Sequence, residues 1–231
     1  MSGQISDLQG RLNVANLIEG KIVSESGLAC FSRLFGILGL PPQQLHMLAN
    51  NLLEASQSGT QSTNPSTPQS GSPTLAQPAP VTPLTPLMPQ RVDQLVWLGL
   101  SPASLAVLAP YITLLPTRTP VNLNTAKAEV LYASSPDLEM ADARKLVAAR
   151  ERSHFRTLAD ANKLIRDPGG PFLEGQHAVA SRFFEVRGRL RLDQTVVQER
   201  SVLQRDGLTV RTLWRDRGVV ADVPVGEVAR P

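Results

Sequence analysis

The chain has 231 residues, of which 42% are hydrophobic and only 4% aromatic, and its formal net charge is +3. This composition allows one large or two modest domains, while no apolar run approaches the length that a membrane span requires. The mild charge is weak evidence for nucleic-acid binding, and the single cysteine, Cys30, excludes an intrachain disulfide.

The first part of the chain is predicted to form a strand and then two helices. In residues 4–18 apolar positions alternate with polar ones, which is typical of a strand with one buried face. From Ser24 the apolar residues fall at helical spacing until Gly39-Leu40-Pro41-Pro42, where the first helix is expected to end. Pro42 fits the first turn of a second helix, whose apolar face continues to Leu53.

Residues 55–90 differ in composition from the rest of the chain. They contain eight prolines, many Ser, Thr and Gln residues, and no charged residue. Such a segment cannot bury enough apolar surface to offset its ordering entropy, so we predict a mobile, partly polyproline-like loop. The stretch Pro80-Val81-Thr82-Pro83 also fits a PxxP ligand, although a linker is the simpler interpretation.

Helices are predicted to resume at Arg91, and residues 120–165 have the outline of a helix-hairpin-helix unit. Gly99 is expected to end the first of these helices, and Ser101-Pro102 provides an N-cap and a first-turn proline for the next. The helices of the 120–165 unit are predicted over 126–133, 140–150 and 158–165, with Thr125 and Thr157 as N-caps of the first and third.

Helix-hairpin-helix units usually hold the phosphate backbone of DNA through a Gly-rich loop whose backbone N–H groups turn outward. Here the connection Ser134-Ser135-Pro136 contains no glycine, and its proline lacks an N–H donor. Asp137 and Glu139 place negative charge at the start of the next helix, where carboxylates suit the helix dipole and are interpreted as capping. We therefore predict a structural unit rather than a phosphate-binding one.

The C-terminal part is predicted to be an antiparallel meander with strands over 184–192, 195–205 and 208–214, followed by a polar tail. Asp206-Gly207 is a strong hairpin signal between the last two strands. In the first strand the even positions are apolar and are expected to face the core. The odd positions form an arginine ladder, which is either a solvated sheet face or a contact with an acidic partner: Glu185, Arg187, Arg189 and Arg191.

These elements predict an α+β fold. If the N-terminal strand joins the C-terminal strands in one sheet, the helices between them form an insertion in that sheet. The expected division of the chain is residues 1–23 and 179–217 for the sheet domain, 24–178 for the helical domain, with its loop over 55–90, and 218–231 for a tail.

No catalytic residue, cofactor site or metal site is predicted. The histidines of the chain are His46, His154 and His177. They form no Ser-His-Asp or Cys-His pattern, and phosphate-loop, dinucleotide and zinc motifs are absent from the sequence. Asp137, Glu139 and Asp142 lie close together, but their spacing matches helix-start carboxylates as well as a metal site. We expect a protein that is not an enzyme.

Four stretches of the sequence carry a resemblance to a known family. They are Asp7–Asn13, Val121–Ala126, Phe183–Arg189 and Val210–Arg215. Each stretch is modest alone, whereas their order and spacing together are specific. On these residues the chain resembles the K-type minor pseudopilins of bacterial type II secretion systems, over nearly all of its length except residues 50–95. The resemblance implies a pilin-like antiparallel sheet with a large inserted α-helical domain of SAM or helix-hairpin-helix type.

The resemblance also implies a function. K-type pseudopilins cap the tip of a short periplasmic pseudopilus and support protein export across the outer membrane. The expected partners are the I-, J- and H-type minor pseudopilins and secreted cargo. The full-length protein is expected to be periplasmic and anchored in the inner membrane by an N-terminal hydrophobic helix, which this sequence lacks. Binding of nucleic acid through residues 120–165 stays the alternative hypothesis.

Two further expectations concern the sites of such a protein. Some relatives bind calcium in the inserted domain, but this sequence has few acids there, namely Glu54, Asp93 and Glu129 between residues 26 and 136, so no calcium is assigned. Partner contacts are expected to use the open end of the sheet and exposed apolar residues of the helical domain, and the sequence names no interface residue.

Overall fold

A computed structural model describes residues 2–58, 86–165, 170–192 and 195–221. Its strands are β1 (Ser2–Asp7), β2 (Leu12–Asn13), β3 (Ile18–Glu19), β4 (Ile22–Val23), β5 (Ile112–Thr113), β6 (Val121–Asn122), β7 (His177–Ala178), β8 (Phe183–Leu192), β9 (Thr195–Asp206) and β10 (Thr209–Ala221). Its α-helices are α1 (Glu25–Ile37), α2 (Pro42–Ser58), α3 (Pro102–Leu108), α4 (Ala128–Ser134), α5 (Met140–Arg152) and α6 (Leu158–Asn162). Its 3-10 helices are Val14–Leu17 and Val92–Leu98. Among the helices of these residues, none has the length and apolar character of a membrane span.

A four-stranded antiparallel sheet is formed by the two ends of the chain, in the order β1-β8-β9-β10. The N-terminal strand lies at one edge, where Ile5 pairs with Val186 of β8. The helices α1 to α6 all come between β1 and β8 in the chain. The sequence prediction that the N-terminal strand joins the C-terminal meander is therefore confirmed, and the fold is mixed α and β with an antiparallel sheet.

The first strand is shorter than the predicted strand over 4–18. β1 ends at Asp7, whose carboxylate Oδ1 accepts a 2.8 Å hydrogen bond from the Gln9 backbone N–H and so turns the chain. Leu8, Leu12 and Val14 are buried as expected. Leu12, in a short strand, and Val14, in a 3-10 helix, belong to the helical core, whereas Leu8, just after β1, packs under the sheet with Phe183. The prediction of a single buried face was wrong, because the alternating polar residues Gln9 and Asn13 are also buried, at 3% and 1% exposure.

The main hydrophobic core lies within the helical part of the chain. It includes side chains from α1 and α2 that are almost completely buried, with Leu34, Leu45 and Leu48 at 0% exposure. Burial of each such leucine contributes roughly 2 kcal/mol relative to leaving it in water. Ser24 caps α1, as its side chain accepts from the Gly27 N–H, and Gly39 follows the helix at φ 66°, a conformation that favours glycine.

The helices after α1 follow the sequence predictions with shifted boundaries. The second helix continues to Ser58 and so includes the first four residues of the predicted loop, 55–58, while residues 59–85 of that loop lie outside the described residues. Gly99 ends the Val92–Leu98 helix at φ 101°, but that helix is 3-10 rather than α. Ser101 caps α3 with Pro102 in the first turn, as predicted.

Within residues 120–165, α4 begins at Ala128 and its N-cap position is Lys127, so the prediction of Thr125 as the N-cap was wrong. The Thr125 hydroxyl is used in a hydrogen bond to the sheet instead. The third helix of the unit, α6, is capped by Thr157 as predicted, but it ends at Asn162, three residues before the predicted end at 165.

The prediction for the two faces of β8 was wrong. Phe183 packs with Leu8, Leu115 and Val202 beneath the helical part, and Glu185 is buried on the same side, so the face predicted to be solvated is the inner face at this end of β8. The arginines farther along that face are exposed. The even positions face outward, and Leu190 there is 50% exposed. The pattern misled because a charged residue was taken to mark the solvent face, whereas a carboxylate that is matched by arginines can be buried.

The end of the chain also differs from its prediction. β10 pairs with β9 as far as Ala221, where the sequence analysis expected a polar tail from 215 and a domain boundary at 218. A register shift between Thr212 and Trp214 interrupts the ladder, and the strand continues beyond it. The remainder of the predicted tail, residues 222–231, lies outside the described residues.

Candidate functional site

A polar junction connects the sheet to the helical part of the chain at the end of β1. The Asp7 carboxylate Oδ2 accepts hydrogen bonds from the Ser181 hydroxyl at 2.6 Å, the Thr125 hydroxyl at 2.7 Å and the Asn122 side-chain amide at 2.9 Å. Asn122 is buried and also donates to the Ser181 hydroxyl at 2.9 Å. We call these four residues, Asp7, Asn122, Thr125 and Ser181, the Asp7 junction. It joins three segments that are far apart in sequence.

Asn124 extends the junction into the helical part. Its side-chain amide donates to the backbone carbonyls of Phe155 and Val179, and its carbonyl accepts from the Phe155 N–H at 2.8 Å. Arg150, on α5, donates to the Leu123 carbonyl at 2.7 Å. Burial lowers the pKa of Arg150, the nearby Glu151 partly offsets this shift, and the guanidinium stays charged. These bonds hold the 122–125 turn against α5 and the start of the C-terminal strands.

Gly10 makes the close approach at this junction possible. A β-carbon built at Gly10 would lie 2.8 Å from the Thr125 hydroxyl oxygen and 2.9 Å from the Thr125 backbone carbonyl. Only a residue without a side chain fits there. Two of the stretches that carry the family resemblance, Asp7–Asn13 and Val121–Ala126, therefore meet at one place in the fold. Sequence reasoning missed this contact, although the polar residues of the two stretches indicated that the stretches could be hydrogen-bonded to each other.

The connection between α4 and α5 is packed inward. Ser134 and Ser135 are buried, and the side chain of Arg33, on α1, donates to the Tyr132 carbonyl at 2.9 Å and the Leu138 carbonyl at 2.8 Å. Arg33 thus binds backbone carbonyls of the segment that a DNA-binding hairpin would turn toward phosphate. This described connection therefore lacks the outward-turned backbone N–H groups that would bind a phosphate. The structure agrees with a structural role for the unit.

The interpretation of Asp137 and Glu139 as capping residues needs correction. Glu139 occupies the N-cap position of α5, but its side chain makes no capping hydrogen bond. Asp142 lies in the first turn of the same helix, where its charge suits the helix dipole. Within the described ranges of the chain, no three His, Cys, Asp or Glu side chains are arranged to hold a metal ion.

The three histidines are on separate parts of the fold. His46 and His154 are exposed, whereas His177 is 3% exposed and lies in β7. The His177 Nδ1 accepts from the Leu173 N–H at 3.2 Å, and its Nε2 lies 3.1 Å from the Ser134 hydroxyl. Burial lowers the pKa of His177 to about 4, so the ring is neutral at physiological pH.

Cys30 is half-buried, and burial raises the pKa of its thiol. Its Sγ lies 3.6 Å from the Ser134 carbonyl, so the thiol is protonated and packed rather than activated as a nucleophile. None of the sequence-predicted polar residues is thus brought into a catalytic arrangement within the described part of the chain.

Several large apolar side chains lie on the surface of the described residues. On the outer sheet face, which we define by Ile5, Val186 and Leu190, the Ile5 side chain is 71% exposed and that of Leu190 is 50% exposed. At the β9–β10 hairpin, Leu208 and Val210 are exposed as well. Exposed apolar groups that share one face of a sheet are typical of surfaces that contact another protein.

Two family models match the chain, and both are described as "Type II secretion system (T2SS), protein K". One matches residues 10–117 and the other residues 121–180, so that together they span most of the chain. The two matches include both sides of the contact between Gly10 and Thr125.

A curated protein and a solved structure are similar to the chain. Type II secretion system protein K of Pseudomonas aeruginosa is 29% identical over 221 residues, which cover 93% of this chain and 64% of that protein. The chain therefore spans less than two thirds of the length of this relative. A chain in the crystal structure of the GspK-GspI-GspJ complex from the enterotoxigenic Escherichia coli Type 2 Secretion System is similar in fold, with a TM-score of 0.62 and 15% identity. The match covers 94% of this chain and 79% of that chain.

Proposed function

Because the chain belongs to the protein K family of type II secretion systems, we propose that it is part of a minor pseudopilin that caps the tip of the secretion pseudopilus. In this role it supports the export of folded proteins across the outer membrane and has no chemistry of its own. The family is one of structural secretion subunits rather than enzymes. The observation that carries the proposal is the match of both family models to segments that meet in the fold at the contact between Gly10 and Thr125.

The proposed partners are other minor pseudopilins. The similar solved chain comes from a complex named GspK-GspI-GspJ, and we transfer assembly with I- and J-type subunits to this chain on the strength of family membership. An H-type subunit and secreted cargo complete the proposed set of partners. The protein would act in the periplasm, anchored in the inner membrane by a segment outside this sequence.

The proposed architecture is a pilin-like sheet domain with an inserted helical domain. The pairing of β1 with β8 supports it, since the six α-helices of the described residues lie between these two strands in the chain. We propose residues 1–23 and 179–217 for the sheet domain and 24–178 for the insertion, with β10 continuing to Ala221.

The outer sheet face is the surface that we propose for contacts within the assembly. Ile5 and Leu190 expose large apolar side chains on a sheet whose opposite face is covered by the helical part. Apolar area of this kind is costly in water and is usually buried in an assembled protein.

Nucleic-acid binding, the alternative hypothesis, lacks support from the family matches. The α4–α5 connection contributes buried serines and arginine-bound carbonyls rather than outward N–H groups. We therefore do not carry it further as a function of this chain.

A secretion assay tests the proposed function. The gene is deleted in the source bacterium and restored on a plasmid, and the location of the proteins that its type II system exports is followed by immunoblotting. We expect these proteins to accumulate in the periplasm of the deletion strain and to reach the medium after restoration. Unchanged export in the deletion strain would contradict the proposal.

A further inference from the structure

An open cleft of about 710 Å³ lies between the inner face of the sheet and the helical part of the chain. One wall is apolar and comes from the second 3-10 helix and α3, with Val92, Val96 and Leu105. The facing wall belongs to the sheet and includes Val202 and Trp214. The cleft therefore offers apolar side chains on two sides to anything that enters it.

The floor of the cleft holds three guanidinium groups around one carboxylate. Glu185 is 1% exposed, and it accepts hydrogen bonds from Arg187 Nε at 2.6 Å and from Arg200 Nε at 2.5 Å. Arg11 lines the same cleft, and its guanidinium makes no hydrogen bond or ion pair with another of the described residues. The cleft as a whole is lined by four arginines (Arg11, Arg91, Arg187 and Arg200) and three acidic residues (Asp93, Glu185 and Asp216), which leaves one positive charge in excess.

The electrostatic environment of Arg11 agrees with this count. Burial lowers the pKa of Arg11, the Glu185 carboxylate raises it, and the charges of Arg187 and Arg200 lower it again. Arginine nevertheless stays protonated at any physiological pH. Arg11 is thus a charged, half-buried donor group with spare hydrogen-bonding capacity, and an additional anion would relieve the repulsion between it and its two neighbours.

At the rim of the cleft, two arginine side chains pack against the ring of Trp214. The guanidinium carbons of Arg91 and Arg200 lie 5.1 Å and 5.2 Å from the centre of the Trp214 ring, within the range of a cation–π contact. Arg91 also pairs with Asp216 at 3.4 Å. These contacts hold Trp214 beside the arginines, so an apolar surface and positive charge lie next to each other.

We propose that this cleft binds an acidic peptide segment of a partner protein, with a carboxylate of the segment on Arg11 and its neighbouring apolar side chains against Val96, Leu105 and Trp214. The planar guanidinium matches a carboxylate through two parallel hydrogen bonds, and the surrounding apolar walls strengthen such a pair by excluding water. Charge complementarity therefore selects an acidic occupant, and the apolar walls select a peptide over a small inorganic anion.

The neighbouring part of this chain does not supply such an occupant. Residues 59–85 come just before the Arg91 side of the cleft in sequence, but they contain no Asp or Glu.

The cleft is a different surface from the outer sheet face, because Glu185 and Leu190 project from opposite sides of β8. The inference goes beyond the proposed assembly and does not rest on it, since a free peptide can test it. Of the predicted arginine ladder, Arg187 takes part in this cleft.

The fluorescence of Trp214 provides a local measurement. The chain has two tryptophans, Trp97 and Trp214. Trp97 is 53% exposed, so Trp97→Phe is expected to leave the fold intact and make Trp214 the reporter. The protein is titrated with a synthetic peptide in which aspartate and leucine alternate, and in parallel with a peptide in which asparagine replaces each aspartate. We expect saturable quenching by the aspartate peptide and at least a tenfold weaker response to the asparagine peptide.

Variants in the same background assign the binding to Arg11. Arg11→Glu and Arg11→Gln are each expected to weaken aspartate-peptide binding about tenfold or more, since the carboxylate loses its guanidinium partner. The glutamine variant keeps most of the side-chain length, so it remains informative if the glutamate variant fails to fold. Arg144→Glu, at an exposed position of α5, is the matched control and is expected to bind as the parent does.

Three results would overturn the proposal. They are the absence of any response of the parent protein to the aspartate peptide, equal affinity for the aspartate and asparagine peptides, and an equal loss of binding in the Arg11 and Arg144 variants. Circular dichroism spectra of every variant establish that the compared proteins are folded.

Discussion

Asp7 and Thr125 are 118 residues apart in the chain, yet the Thr125 hydroxyl donates a 2.7 Å hydrogen bond to the Asp7 carboxylate. The first of these residues ends the N-terminal strand of the sheet, and the second lies in the turn before α4. Their contact, together with Asn122 and Ser181, means that sheet and helical part are held together by specific polar bonds as well as by apolar packing.

The Asp7 junction is expected to contribute strongly to stability. Asp7→Ala removes the acceptor of the buried Ser181 hydroxyl and one of the two acceptors of the buried Asn122 amide, and we expect a loss of about 2–3 kcal/mol in the free energy of unfolding. Urea denaturation followed by circular dichroism measures this change. Asp137→Ala, which removes an exposed carboxylate, is the control and should alter stability by less than about 0.5 kcal/mol. Equal stability of the two variants would show that the junction is not stabilising.

The tight approach of Gly10 to Thr125 gives a second test. Gly10→Ala forces a β-carbon against the Thr125 backbone carbonyl, and we expect it to destabilise the protein by roughly 1–3 kcal/mol. Gly36→Ala, in α1 with nothing near its β-carbon, should instead stabilise by about 0.5–1 kcal/mol, because alanine favours a helix over glycine. Melting temperatures of the two variants, measured by calorimetry, should move in opposite directions. A shift of the same sign in both would contradict the packing described at Gly10.

His177 should make the stability of the protein depend on pH in the acidic range. Its pKa is about 4 in the folded protein and near 6.5 when unfolded, so the unfolded chain binds the proton first as pH falls. The contribution of this residue is therefore complete above pH 6.5, decreases between pH 6.5 and 4, and amounts to a loss of about 3 kcal/mol below pH 4.

Denaturant unfolding at a series of pH values measures this loss. In His177→Asn the part of the slope between pH 6.5 and 4 that comes from the imidazole should be absent. His154→Asn, which removes an exposed histidine, should keep the slope of the parent. If both variants retained the same slope, His177 would not be the titrating group.

The outer sheet face should be sensitive to charge in the assembled complex. Leu190→Asp places a carboxylate on this face, where we expect it to weaken association with I- and J-type pseudopilins by about tenfold or more, since a buried unpaired charge is costly. Arg144→Asp is the control, because it places the same carboxylate at an exposed polar position of α5. Pull-down with purified partners compares the two. Equal binding by both variants would show that the outer sheet face does not contact these partners.

Sequence reasoning predicted most of the elements because their signals are local. The Gly39 and Gly99 stops and the Ser101-Pro102 start each depend on the backbone needs of one turn. The predicted helix boundaries were wrong where a side chain bonds to a residue far away in sequence. The Thr125 hydroxyl, for example, donates to Asp7 and does not cap α4.

The sites were harder to predict than the elements for the same reason. Glu185 looked like a solvent-facing residue because its arginine partner Arg200 lies on another strand, 15 residues away in sequence. The Asp7 junction combines residues from three distant segments, and no periodic pattern encodes such a meeting. Long-range polar pairs of this kind become visible only once the topology brings the segments together.

The most direct test of the central claim is co-purification of this chain with the soluble domains of the I- and J-type pseudopilins from the same bacterium. The mass of the complex is measured by light scattering, and a DNA duplex is titrated in parallel at low salt. We expect a stable complex of defined stoichiometry and no DNA binding. The absence of any complex, together with DNA affinity that falls steeply as salt rises, would contradict the account.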